Sequence, residues 1–236
     1  MKMKFFMLAA VFTGSAAYAQ KDSTRQLDEV VVTATRNPIK QSLTGKVVTV
    51  INRQELDRHT GKTLTDVLNT QAALIVNGSG NTAGTNQDVY MRGASAGKTL
   101  VLVDGIPVYD ASGISGAYDL NFIPIDQVER VEIVKGSLST LYGSDAIAGV
   151  INIITKKGDA KKISLTTDLA AGTYGSFKGT AAVSGTIAKT AYNIQYSHLS
   201  SRGFSSASDE TGNGQFDNDG FKQHVVRANI NQQVGK

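Results

Sequence analysis

Three short patterns in the sequence carry residue types that could do chemistry. Gly93-Ala94-Ser95-Ala96-Gly97 fits the G-x-S-x-G turn that presents a nucleophilic serine for acyl transfer. That turn has to run directly from a strand into a helix. Here Lys98 to Val103 is rich in Leu and Val and reads as a strand. The histidines, His59, His198 and His224, each sit in a different setting. Gly97-Lys98-Thr99 ends like a phosphate-binding loop, but the first glycine of the G-x-x-x-x-G-K pattern is replaced by Arg92, and no helix follows. Asp217-Asn218-Asp219-Gly220 supplies oxygen ligands of the kind calcium prefers. As an EF-hand it fails, because the first ligand would be Gln215 and the twelfth Val226. It survives as a non-EF cluster of Gln215, Asp217 and Asp219, or as an exposed acidic turn. No enzyme and no required cofactor are expected, with calcium as an optional ion.

The elements around these residues point elsewhere. The chain has 236 residues and no Cys, which excludes disulfides, thiolate metal sites and a lipoprotein anchor. Lys2 and Lys4, the apolar Phe5 to Thr13 and the A-x-A site Ala17-Tyr18-Ala19 come in the order of a cleaved export signal over residues 1–19. After cleavage 22 basic residues face 20 acidic ones, too small an excess to imply nucleic acid. No apolar run of about 20 residues follows, so a membrane can be crossed only by strands.

Residues 20–44 are mostly polar, with one β-prone island, Asp28-Glu29-Val30-Val31-Val32-Thr33-Ala34-Thr35, ended by Asn37-Pro38. Residues 45–158 mix short strands and helices. Asn52 with Glu55, and Thr63 with Asp66, are N-cap pairs for two helices. Strands are expected at Val47 to Ile51, Leu74 to Val76, Val89 to Met91, Leu100 to Val103, Val128 to Val134 and Val150 to Thr155. Gly-, Ser- and Asn-rich loops separate them at 77–86 and 110–118. This is the pattern of a small α+β domain.

From residue 159 the texture becomes strict alternation. Ile163, Leu165, Thr167 and Leu169 alternate with polar or small residues, as do Phe177 to Ile187, Tyr192 to Tyr196 and Val226 to Ile230. Strands of about 10 residues with a period of two suit a transmembrane β-barrel. A soluble antiparallel sandwich alternates too. Barrels need about 8 strands, and four are present, so the expected product is a fragment with an incomplete barrel at 159–236.

Four stretches together resemble TonB-dependent outer-membrane receptors. They are Asp28 to Thr35, Val89-Tyr90-Met91-Arg92-Gly93, Val101-Leu102-Val103-Asp104-Gly105, and Val128 to Gly136 continued by Leu141 to Thr155. The resemblance implies a TonB box at residues 28–35, a plug domain at 45–158, and a plugged barrel of roughly 22 strands. It implies TonB, outer-membrane lipid and an imported nutrient as partners, in a Gram-negative outer membrane. Within the family the likeness is nearest to cobalamin receptors, through Ser112 to Leu120 and Gln215 to Phe221. It implies that Asn86, Asp88, Ser95, Ile114 and Ser115 face the corrinoid and that Gln215, Asp217 and Asp219 ligate calcium. One calcium-ligating Asp of the family falls near Ser205 here. The rival ligands are an iron siderophore or haem; the rival class is a secreted β-rich binding or adhesion module. A free, extended TonB box would join another protein's sheet edge.

Overall fold

The computed structural model describes residues 30–59, 61–207, 210, 212, 214 and 216–234. The expected export signal, Asp28, Glu29 and Gln215 lie outside them. Two short strands, β1 (Val30–Val31) and β2 (Ile39–Lys40), pair first. β3 (Val47–Ile51) leads into helices α1 (Arg53–Arg58) and α2 (Leu64–Asn69). β4 (Leu74–Asn77) and β5 (Asp88–Met91) flank a Gly-rich loop. β6 (Thr99–Val103), β7 (Ile106–Val108), β8 (Val128–Lys135), helix α3 (Ser139–Tyr142) and β9 (Gly149–Thr155) complete this domain.

Both helix starts are made by the expected caps. Asn52 Oδ1 accepts from Glu55 N at 3.0 Å. Thr63 Oγ1 accepts from Asp66 N, and Asp66 Oδ2 accepts from Thr63 N, so both halves of that capping box form.

The centre is a five-stranded sheet in the order β3-β8-β9-β6-β7, parallel only between β6 and β9. Side chains alternate across it. Val131, Ile133, Ile151, Ile153 and Val101 point to one face and pack under α1, α2, β4 and β5. Val134, Val150, Leu100 and Leu102 point to the other, under Leu138, Ala146 and Ala34. A sheet buried on both faces needs a cover on each. The second cover includes the segment that follows β1.

The last four strands, β10 (Ser164–Ala171), β11 (Phe177–Ile187), β12 (Thr190–Ser201) and β13 (Phe221–Gln232), form an antiparallel meander. Their lengths of 8, 11, 12 and 12 residues bracket what a tilted strand needs to cross a bilayer. One face turns to the first domain: Thr180, Asn193, Gln195 and Ser197 are buried polar residues. The other carries apolar side chains in the open, Leu165, Leu169, Val226 and Ile230 each at least 70% exposed. A soluble sandwich has the reverse arrangement, apolar in and polar out. The wall is therefore that of an unclosed barrel. β13 reaches back to Phe221, beyond the apolar alternation that marks it in the sequence, because its outward residues there are Lys222 and His224.

Candidate functional site

The β-prone island near the N-terminus is extended only at Val30–Val31; residues 33–35 form a turn, with Thr35 N donating to Val32 O at 3.3 Å, and the segment has partners in its own domain. Val31 pairs with Ile39 and is fully buried. Beyond it, a single carboxylate oxygen, Glu132 Oε2, accepts three hydrogen bonds: from Val32 N at 3.0 Å, Thr33 N at 2.9 Å and Thr33 Oγ1 at 2.6 Å. Its other oxygen accepts Arg130 Nε and Nη2 at 3.0 and 2.9 Å. Asn152, directly opposite Glu132 in the sheet, donates Nδ2 to Thr33 Oγ1 at 2.9 Å. Tyr142 donates its hydroxyl to Thr33 O at 3.1 Å, and the Arg36 guanidinium lies 4.5 Å above its ring. A fully buried carboxylate in mid-strand is costly unless its lone pairs are filled. Here two are filled by the backbone of residues 32 and 33, so the sheet is built to hold that peptide. The expectation of a free segment is corrected on this point: Glu132, Asn152 and Tyr142 dock it.

The loops at the opposite end of the first domain lie open. Asn86, Ser95, Ile114 and Ser115 are exposed, and Asp88 is half-buried at the start of β5 opposite Asn77. Gly97, two residues after Ser95, packs against the backbone of Ser115. A Cβ there would stand 2.4 Å from Ser115 O, so the second glycine of the G-x-S-x-G pattern serves loop packing. Ser95 precedes a single 3-10 turn, Ala96–Lys98, and then β6, so there is no helix to support a nucleophile. The 110–116 loop closes on itself: Asp110 N donates to Gly116 O, and Asp110 Oδ1 accepts Ser112 N and Oγ. Those bonds, the hydroxyl's first, hold the Asp110 carboxyl below its ordinary range. Asn121 Nδ2, in the 3-10 turn that follows the second loop, donates to Thr85 O of the first at 2.7 Å.

Asp217 is exposed, and Asp219 Oδ2 accepts Ser206 N at 2.8 Å. Bonds from Ser206 hold the Asp219 carboxyl below its usual range. Among the described residues no three acidic or histidine side chains gather into a metal site. Asp219 ties its loop back to Ser206.

Between the first domain and the wall lies a polar cavity of about 890 Å³. Its rim is bridged by ion pairs from strand to domain: Lys178–Asp126 at 2.7 Å and Arg227–Asp104 at 3.1 Å. Thr180 Oγ1 also donates to Asp126, and Gln223 Nε2 to Asn121 O.

Residues 40–150 match the family model of the TonB-dependent Receptor Plug Domain. This part of the chain is similar to a TonB-dependent receptor plug. Solved receptors carry the same arrangement of plug and wall. FpvAI in its complex with a pyocin aligns with 87% of this chain at 21% identity and a TM-score of 0.67. The enterobactin-bound ferric enterobactin receptor PfeA of Pseudomonas aeruginosa, as a point mutant, aligns with 81% at 21% identity and 0.59. The ferric yersiniabactin uptake receptor FyuA of Yersinia pestis aligns with 78% at 20% identity and 0.57. At these identities the likeness is one of fold. The chain spans 26%, 31% and 28% of the three receptors' lengths.

Glu132, Asn152 and Tyr142 are the functional candidates that sequence reading misses. All three lie in stretches that carry the family resemblance, but only the register of β8 on β9 brings Glu132 and Asn152 under Thr33, and only the packing of α3 adds Tyr142. The available signal is Glu132 itself, a charge flanked by Val131 and Ile133.

Proposed function

We propose that this chain provides the coupling segment, plug and first wall strands of a TonB-dependent outer-membrane receptor that imports ferric siderophores. The observation that carries the receptor reading is the two-sided wall: polar side chains on the plug, apolar side chains in the open. Such a wall is stable with lipid outside and a domain inside. It weighs against a secreted adhesion module, which would expose these apolar faces to water.

The ligand class rests on the company the fold keeps. Two of the aligned receptors are named for ferric enterobactin and ferric yersiniabactin. The cobalamin reading draws no support from them, and the match of Ser112 to Leu120 to a corrinoid loop is too short to outweigh them. The exposed 77–86 and 110–118 loops, with Asn86, Asp88, Ser95, Ile114 and Ser115, then meet the siderophore from outside.

Coupling uses residues 28–35. Val32 and Thr33 have given their amide donors to Glu132, so the segment must leave that dock before it can add as a strand to TonB. The test is growth of an iron-starved Gram-negative host carrying the complete reading frame. Ferric siderophores fed singly restore growth, and cyanocobalamin in a corrinoid-dependent host does not. Rescue by cyanocobalamin alone would return the ligand to the corrinoid class.

A further inference from the structure

The outward face of the wall carries one feature that neither lipid contact nor import requires. His198 on β12 and His224 on β13 are directly opposite in the antiparallel register. Their rings lie 4.5 Å apart, centre to centre, at 33°. Tyr196, next on the same face of β12, brings its hydroxyl to within 2.7 Å of His224 Nδ1. His198 Nδ1 is buried and has no hydrogen-bond partner. Phe177 of β11 stands against the His198 ring, with centroids 6.3 Å apart.

We propose that His198 and His224 form a two-imidazole site for a divalent transition-metal ion, copper(II) above all. Cross-strand neighbours place side chains about 5 Å apart, so a rotamer adjustment lets both rings reach one ion. Imidazole suits copper, nickel and zinc, and copper(II) binds such nitrogen sites most tightly of the first-row ions. With Nδ1–H donated to the Tyr196 oxygen, the lone pair of His224 falls on Nε2. That is the orientation in which a second-layer partner commonly holds a metal-bound imidazole. The remaining positions go to water. Water reaches the pair because it lies where the apolar band ends. Below it the outward residues are Val226, Ala228 and Ile230; above it they are Ser200 and Lys222. The site is distinct from the plug loops and from the Asp217–Asp219 turn.

The test is copper(II) titration of the full chain in detergent micelles, followed by electron paramagnetic resonance. The expected result is one ion with two nitrogen ligands. His198→Gln and His224→Gln each weaken binding at least about tenfold, and Tyr196→Phe weakens it by up to roughly tenfold. His59→Gln leaves it unchanged. A second measurement needs no variant: bound copper(II) slows carbethoxylation of His198 and His224 but not of His59. Unchanged affinity in both histidine variants, or modification of the pair at the same rate with and without copper(II), overturns the proposal.

Discussion

Thr33 places both its backbone N–H and its hydroxyl on one oxygen of Glu132, at 2.9 and 2.6 Å. Val32 N joins them on the same oxygen. Hydrogen bonds to a charged partner contribute roughly 1.5–3 kcal/mol each, and buried donors left without one cost about 1–3 kcal/mol. Glu132→Ala removes the acceptor for all three donors and leaves Arg130 without its carboxylate. The expected outcome is selective opening of residues 31–35, not loss of the plug, because the apolar face formed by Ile51, Val131, Ile133 and Ile151 is untouched. Amide exchange at Val32 and Thr33 rises on the order of 10–100-fold while the amides of β6 and β9 keep their protection. Equal protection in the variant would show that Glu132 does not hold the segment.

The same geometry changes the choice of test for coupling. On sequence alone, Val31→Pro looks like a clean way to remove one donor from a strand that joins TonB. In the structure Val31 is fully buried and paired to Ile39, so that substitution also disturbs docking. Thr33→Val is better matched in shape. It deletes the hydroxyl between Glu132 and Asn152 but keeps the backbone donor, and it loosens the dock by about 1–2 kcal/mol.

Plug and wall are held by a second carboxylate, Asp104. Its Oδ1 accepts Thr155 N at 2.8 Å; Oδ2 accepts Thr155 Oγ1 at 2.6 Å and Arg227 Nη2 at 3.1 Å. Only the last bond crosses to the wall. The pair is partly open to solvent, so its own coupling is modest, about 0.5–1 kcal/mol in a double-mutant cycle of Asp104→Ala with Arg227→Ala. Asp104→Ala alone costs more than Arg227→Ala alone, because it also strips Thr155 N of its acceptor. Thermal unfolding of the four proteins in micelles checks both statements; a smaller loss from Asp104→Ala than from Arg227→Ala would contradict the assignment.

Arg53 and Asp57 give a pH-dependent increment of plug stability. The Arg53 side-chain hydrogen bond, followed by the charge itself, holds the Asp57 carboxyl below its unfolded value of 3.8. Between the lowered and the unfolded value the unfolded chain binds more protons, so stability rises with pH there. The increment is complete above 3.8 and disappears as pH falls through the folded value. Asp57 is largely exposed, which limits the increment to roughly 0.3–0.5 kcal/mol, as for other helical i,i+4 pairs. Arg53→Ala costs more at every pH, because Arg53 Nη1 also caps Ile125 O and Val128 O at 3.1 and 2.6 Å. Urea unfolding of Asp57→Asn and Arg53→Ala at pH 7 and at pH 3 separates the two contributions.

The wall is legible in the sequence because lipid and lumen impose opposite demands on alternate residues, and Leu165, Val183, Ile194 and Val226 keep that beat. Helix starts are legible because caps are local, as Thr63 and Asp66 show. What sequence reading does not reveal is long-range. Glu132 lies about 100 positions from Thr33 (|i−j| of 99), and no spacing rule links them. The β-prone start of the segment is plain from Val30, Val31 and Val32, but its turn at residues 33–35, and whether such a segment is free, depend on what the sheet offers it. The outward alternation of β13 is plain at Val226 and Ile230 and fades at His224 and Lys222, where the wall leaves the apolar zone.

Gly97 gives the sharpest local test of the proposed ligand-facing end. Its φ is ordinary for any residue, so strain is not the reason for glycine. The reason is space: an added Cβ would lie 2.4 Å from Ser115 O, a backbone atom that can move only with its loop. The 110–116 loop is tied internally through Asp110 and Ser112, so it shifts as a unit. Gly97→Ala therefore displaces Ile114 and Ser115 together while the β6–β9 pairing beneath stays intact. The expected outcome is a fold close to wild type by circular dichroism and thermal unfolding, with ferric-siderophore binding weakened by about tenfold, a difference of about 1.4 kcal/mol. Val101→Ala, in the plug core, does the converse: it lowers stability by roughly 1–2 kcal/mol and leaves binding alone. Equal binding by the Gly97→Ala protein would remove the 110–116 loop from the ligand site.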